Sequence, residues 1–294
     1  MSKNTGSVSV VVPTHNHGRF LAEAVKSVLA QTVPAHEVLI VDDGSTDETP
    51  AVIQGFGNAV KSIRVEGRGA YGARNDSLPH LSGDYFLNVD ADNRLRPDYI
   101  EKTLAVLRSA PERVGYVYTQ RSYFGDESGV SAFPDFDPAL LPLRNFVDMG
   151  ALIRMDLVKG RGFDETFNRG RGDHAFFLSL LRDGWVGQRL DEPLLEYRVH
   201  SDSITGRVRR RYDQPAIVEL LIQAFPELYP PEVAREARDE ARNRVLLSVI
   251  ANRRPDAPAR ERLRDFLAFS RAGFRHAEWP RQFAYLLNPR RTTS

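Results

Sequence analysis

What most restricts the fold of this chain is the alternation of short apolar runs with amphipathic stretches through its first 120 residues. "VSVVVPT" (8–14) reads as a buried strand, and "GRFLAEAVKSVLAQ" (18–31) follows with Phe20, Leu21, Ala24, Val25, Val28 and Leu29 at helical spacing. "HEVLIVDD" (36–43) is a second strand, "STDE" (45–48) opens a helix, "KSIRVE" (61–66) is a weaker strand, and a helix is expected near 70–80. The apolar part of "DYFLNVDADN" (84–93) makes a fourth strand, "RPDYIEKTLAVLRSA" (96–110) the helix after it, and "VGYVYTQ" (114–120) a fifth strand. Strand and helix in turn predict βαβ units, hence an α/β fold whose mainly parallel sheet is flanked by helices.

After residue 120 the alternation breaks. "RSYFGDESGVSAFPDFDPALLP" is loop-like and aromatic, "MGALIRMDLV" and "GFDETF" lead to a helix at "DHAFFLSLLRDGW" (173–185), and two further strands are expected around "VGQRL" and "LLEYRVH". From about residue 213 the pattern is all-helical, with "RPDAPAR" (254–260) as a break between helices. The expected organisation is an α/β domain over 1–210 and a helical C-terminal extension over 211–294.

Composition narrows the chemistry. A formal net charge of +1 supplies no field that would draw nucleic acid or an anionic membrane, so any bound anion must be held locally. The absence of cysteine removes disulfides, thiolate zinc sites and cysteine nucleophiles. There is no basic-then-apolar leader and no apolar stretch approaching about 18 residues, which predicts a cytoplasmic protein.

Ligands of open α/β sheets bind outside the carboxyl ends of the strands, and acidic residues gather at two such ends: Asp42 and Asp43, then Asp90 and Asp92. Asp42 and Asp43 also suit a turn into a helix, with Ser45 and Glu48 spaced as a capping box. Asp90 and Asp92 are two residues apart, and in extended chain they point the same way, so both can face one hard cation. Carboxylate ligands suit Mg²⁺ or Mn²⁺, ions that bridge to substrate phosphates. The plainer alternative is a turn in which one aspartate caps the helix at 97. Gly67, Gly69 and Gly72 have the spacing of a dinucleotide fingerprint, but they follow a polar third strand instead of opening the fold.

"VVPTHN", "VDDGSTD", "GARN", the "DAD" at 90–92, "GFDE" (162–165) and "YRVHSDS" (197–203) together resemble the family 2 glycosyltransferases, in order and spacing, over residues 8 to about 205. The resemblance implies a GT-A fold with residues 1–210 as the catalytic domain. It also implies inverting transfer of a sugar from a nucleotide diphosphate donor. Pro13, Thr14 and Asn16 then look like the loop lining the nucleotide, Asp43 like the reader of a uracil-type base edge, and Arg74 like the basic residue beside the diphosphate. Asp90 would lie near ribose and metal, Asp92 would be the principal ligand of Mn²⁺ or Mg²⁺, and His200 would reach the same ion, unless it is an exposed loop histidine.

One departure matters. The family's catalytic base lies in a Glu-Asp pair at a helix start, and here "RGRGDHAFF" offers Gly172 and Asp173. Asp173 is the expected base, held ionised by the helix terminus with its pKa slightly lowered by the loss of an acidic neighbour, and glycine is expected to open space for a bulkier acceptor; Asp173 can also be read as an N-cap. His15 replaces an aromatic common in relatives. His17, His36, His80, His174 and His276 are taken as structural. The run "RVRRR" (207–211) reads as a solvated face, a cover for the diphosphate or a contact for anionic lipid. The aromatic and arginine-rich segment 266–287 reads as core packing, peripheral contact with the inner face of the membrane, or a homodimer surface. The expected activity is transfer from a UDP-sugar, or less favourably a dTDP-sugar, to a saccharide, lipid-linked or other hydroxyl acceptor. The rivals are a non-catalytic sugar-nucleotide binder and a dinucleotide-dependent oxidoreductase.

Overall fold

The structure, a computed structural model, describes residues 6–168, 170–200 and 214–253. The expected alternation is present: β1 (Val8–Thr14), α1 (Gly18–Leu29), β2 (Glu37–Asp43), α2 (Thr49–Gly55), β3 (Lys61–Val65), α3 (Gly69–Ser77) and β4 (Tyr85–Asn88). Then come β5 (Arg94–Leu95), α4 (Tyr99–Ser109), β6 (Val114–Gly125), β7 (Gly129–Val130), β8 (Leu152–Arg154), α5 (Met155–Lys159), α6 (Gly172–Arg182) and β9 (Val186–Val199), and finally the helices α7 (Gln214–Ala224) and α8 (Pro231–Arg253). The strands form one mixed sheet in the order β3-β2-β1-β4-β8-β6-β9-β5, with β7 on β6. β1 pairs in parallel with β2 and β4, and β2 with β3, while β8 runs antiparallel between β4 and β6.

β1 and β2 are apolar almost throughout because both faces are covered. Val8, Val10 and Val12 face a core built with Leu21, Val25 and Val28 of α1 and Ile100, Leu104 and Leu107 of α4. Val11, one residue out of phase, faces the opposite core, with Leu39, Val41, Phe86, Phe176 and Phe177. Each such side chain, fully buried, contributes about 1.5–3 kcal/mol.

Four local expectations change. α2 begins at Thr49, and the proposed capping box does not form: the Ser45 amide donates to Asp42 Oδ1 at 2.9 Å and Glu48 makes no capping bond. β4 ends at Asn88, so Asp90 and Asp92 lie in a turn closed by the Asn93 amide on the Asp90 carbonyl (2.9 Å), and extended-chain geometry does not apply to them. β8 was hidden in "ALIR" because three residues give no readable period. The two strands expected after residue 185 are one, β9, whose register against β6 slips between Leu190 and Leu195, around Pro193, which has no amide to donate.

Ile217, Val218 and Leu221 of α7 and Ala234, Ala237 and Ala241 of α8 join the core that holds Phe176 and Phe177 of α6. Tyr229 Oη donates to the Pro142 carbonyl at 2.8 Å. His174 is fully buried, its Nε2 2.6 Å from the Leu141 carbonyl, and His36 Nε2 lies 3.1 Å from Ser82 Oγ, both structural as expected. Among the described residues no helix is long and apolar enough to cross a membrane. Segments 207–211, 254–260 and 266–287, with His276, lie outside the described residues.

Candidate active site at the carboxyl ends of the strands

The chain leaves β1 through Pro13 and Thr14, past the last β1–β4 pair at Val11–Asn88, so Pro13 sits where the strand is bonded on one side only. Asn16 takes a left-handed backbone (φ 56°), which asparagine tolerates, and its Oδ1 accepts from the Thr46 amide at 2.8 Å and the Asp47 amide at 3.3 Å. Its own amide donates to Ser45 Oγ at 2.9 Å. The loops after β1 and β2 are thereby one unit. His15 is tied into it, Nδ1 lying 2.6 Å from the Asp43 carbonyl and Nε2 3.1 Å from Asn16 Nδ2. Thr14 Oγ1 is buried with no hydrogen-bond partner among the described residues.

Asp43 accepts from the Arg68 amide on Oδ1 and the Gly69 amide on Oδ2, both at 2.7 Å. Its first task is therefore to fix the start of α3, with one lone pair per oxygen left for a ligand. The same bonds remove the dinucleotide reading, because amides of "GRGAYG" that would cradle a pyrophosphate already serve this carboxylate. Arg74, on α3 and buried, donates through Nε to Asn88 Oδ1 (2.7 Å) and through Nη2 to Asp90 Oδ1 (2.8 Å).

Asp92 and His200 are brought together from 108 residues apart, Asp92 Oδ2 lying 3.0 Å from His200 Nε2. β9 makes this possible by delivering its end to the β4–β5 turn, where Arg198 donates its backbone amide to Asn93 Oδ1 and its Nε to the Asp92 carbonyl, both at 3.0 Å. Glu23 of α1 holds Arg198 and Arg94, and Phe20 lies beneath both Arg198 (4.5 Å) and the His200 ring (5.0 Å). Burial, and then the nearby Asp90 charge, push the Asp92 carboxyl up, against the pull of His200.

His17, expected to be structural, belongs here: its ring is 6.3 Å from that of His200, and burial lowers its pKa against the attraction of Asp92. Its place just past the end of β1 was the available signal.

The donor set fits a hard cation. The 3.0 Å between Asp92 Oδ2 and His200 Nε2 matches the spacing of neighbouring ligands in a six-coordinate shell with bonds of about 2.1 Å, and a buried carboxylate with a raised pKa favours a positive partner. Among the described residues no three such groups converge as a ready-made cage, so water and phosphate oxygens would complete the shell.

Asp173 lies in the first turn of α6. It is not the N-cap, which is Arg171 in a left-handed backbone (φ 59°). Asn145 Nδ2 donates to Asp173 Oδ2 at 2.7 Å, and the His174 amide to Oδ1 at 2.8 Å. Burial raises its pKa and Asp148 adds to the rise, so the expected lowering is overturned: loss of hydration outweighs the His174 amide, Arg74 and Asn145. The expectation of open space at Gly172 is overturned as well, because a Cβ there would meet the Tyr71 ring at 2.3 Å.

Residues 9–154 match the model of glycosyl transferase family 2. The relative named "Putative teichuronic acid biosynthesis glycosyltransferase TuaG" of Bacillus subtilis (strain 168) is 30% identical over 207 residues, 68% of this chain and 81% of that one. The chain belongs to glycosyl transferase family 2. Among solved structures, residues 1–349 of S. aureus TarS in complex with UDP-GlcNAc align with a TM-score of 0.62 at 17% identity, over 98% of this chain and 82% of that one. The Pyrobaculum calidifontis mannosyltransferase PcManGT, in complex with GDP-Man and Mn²⁺, aligns at 0.58 and 20%, over 95% and 84%. The family 2 fold, of GT-A type, is thus the architecture of this chain.

Proposed function

We propose that this family 2 enzyme is an inverting, metal-dependent transferase that moves a sugar from a UDP-sugar to an acceptor hydroxyl in polysaccharide or glycoconjugate synthesis. The observation that carries it is the Asp92–His200 pair, a carboxylate and an imidazole 3.0 Å apart at the mouth of a parallel sheet. Arg198, Glu23 and Phe20 exist in this arrangement to hold that pair. The similarity to TuaG supports a polysaccharide product, and the donors in the TarS and PcManGT structures support a nucleotide sugar.

In this reading Pro13, Thr14, Asn16 and Asp43 line the nucleoside, and Arg74 sets Asp90 beside the ribose and diphosphate. Asp92 and His200 would hold Mn²⁺ or Mg²⁺, with Asp90 beside them as a further carboxylate, and the ion would supply positive charge to the departing diphosphate. Asp173, oriented by Asn145, accepts the proton of the acceptor hydroxyl as it attacks the anomeric carbon in line. A raised pKa suits that role, since a stronger base draws the proton further. One displacement with one base inverts the anomeric centre.

The test is titration of UDP into wild type and Asp92→Asn, with Mn²⁺ and with chelator. Wild type should bind only with the metal, and the variant weakly in either state. Equal affinities in all four cases would overturn the metal assignment, and failure to hydrolyse any UDP-sugar with Mn²⁺ would overturn the donor.

A further inference from the structure

Gly172 opens α6 with an ordinary right-handed backbone, so its conformation does not call for glycine. What calls for it is a ring. A Cβ at 172 would lie 2.3 Å from Tyr71 Cε2, 2.4 Å from Cζ and 2.7 Å from Cδ2. Tyr71 and any side chain at 172 therefore compete for one space.

Tyr71 does more than fill it. The first amides of a helix have no partner within the helix, and Tyr71 Oη, reaching over from α3, accepts the backbone N–H of Asp173 at 2.9 Å. That bond fixes the main chain of the residue whose carboxylate faces the acceptor. The Tyr71 backbone is pinned in turn, its amide donating to Asn168 Oδ1 at 3.1 Å. The ring lies 5.0 Å from the Arg74 guanidinium, which binds Asp90. Tyr71 thus touches both halves of the crevice, the cation beside the donor and the main chain of the base. The phenolic hydrogen is not used in accepting from Asp173 and can be donated to a bound hydroxyl.

We infer that Tyr71 is a positioning residue for the transfer step: it seats Asp173 against the acceptor and couples that seat to Arg74 and Asp90, and Gly172 is glycine to admit it. This rests on the assignment of Asp173 as base. A carboxylate displaced by about 1 Å can lose of the order of a hundredfold in rate, so removal of the phenolic oxygen should act on turnover and leave donor binding alone.

The experiment compares Tyr71→Phe, Gly172→Ala, Tyr71→Ala, the double variant Tyr71→Ala/Gly172→Ala and Asp173→Asn. UDP release from UDP-glucose, UDP-galactose and UDP-N-acetylglucosamine is followed with Mn²⁺ and no acceptor, alongside UDP affinity and thermal unfolding. Tyr71→Phe should lower the rate of UDP release at least about tenfold while UDP affinity stays within about twofold. Gly172→Ala should lower Tm by several degrees, and the same change in the Tyr71→Ala background should not, because the ring is gone; this cycle needs no substrate. UDP release at the wild-type rate in Tyr71→Phe, or an equal loss of Tm from Gly172→Ala in both backgrounds, overturns the inference. If Asp173→Asn is slow and Tyr71→Phe is not, Tyr71 alone loses its role. If Asp173→Asn retains the wild-type rate, the base assignment fails and this inference with it.

Discussion

Glu37 at the amino end of the parallel strands and Asp92 beyond their carboxyl end are carboxylates handled in opposite ways. At the amino end Glu37, the first residue of β2, accepts from Ser9 Oγ (2.7 Å), the Ser82 amide (2.6 Å), Ser82 Oγ (3.0 Å) and Lys61 Nζ (2.8 Å). Burial alone would raise its pKa, but Lys61, Ser82 and Ser9 outweigh it and bring the carboxyl down to about 2. At the carboxyl end Asp92 and Asp173 are also withdrawn from water, with fewer donors and with Asp90 and Asp148 nearby, and their pKa values rise. Burial is common to both ends, so the donors and charges around each carboxylate decide the sign. A carboxylate with all its acceptor positions filled ties strands together. One left short of donors retains affinity for a proton or a cation.

The strongest way to break this contrast is Asp173→Asn. Transfer should fall at least about a hundredfold, the lower end of what a general base supplies. Because the folded pKa is raised, the fold disfavours the ionised form, so deleting the charge should leave Tm at pH 8 unchanged or higher. A lower Tm with activity retained would make Asp173 a structural residue and turn attention to Asp164 or Glu165.

Glu37→Gln should show the converse. UDP binding should be unaffected, and stability at pH 7 should drop by about 2 kcal/mol, discounted for the exposed Lys61 partner. Glu37 has a depressed folded pKa, so its contribution is complete above the ordinary value of 4.5 and is lost as pH falls toward about 2. Denaturation curves of wild type and variant should converge across that window, and a constant offset down to pH 2 would refute the clamp.

A smaller effect is expected at His200, where alanine should weaken Mn²⁺ binding and turnover each by about tenfold; no change in either would make the histidine a bystander. Smallest is a displacement of the acid limb of the rate profile to a pH above the ordinary aspartate value of 3.8, since Asp173 must be ionised to act. A limb at or below that value would contradict the raised pKa.

Much of this was legible in sequence because the relevant signals are local. Runs such as "VSVVVPT" and "HEVLIVDD" are buried on both faces, so hydrophobicity alone locates β1 and β2. Asp90 and Asp92 announce themselves by proximity to a strand end. The relation of Tyr71 to Gly172 was not legible, since it joins two helices a hundred residues apart and its sequence sign, a glycine, is shared by every turn. The rise in the Asp173 pKa was missed because a helix start is visible in sequence and the burial around it is not. His17 was passed over because its partners come from β9 and the turn after β4.

The position of β9 bears on how the enzyme matures. β9 reaches β5, a strand some hundred residues earlier in the chain, and carries His200 at its tip. The loops proposed to line the nucleoside leave β1 and β2, whose strand partners β2, β3 and β4 all end before residue 90 and close their contacts at smaller entropic cost than β9. Chains fold from the amino end as they are synthesised, so the nucleoside crevice should form while the carboxyl-terminal part is still being made, and the Asp92–His200 pair should be among the last contacts to close. In refolding experiments nucleoside affinity should accordingly return before metal affinity; simultaneous recovery would show that the two halves assemble as a single cooperative unit.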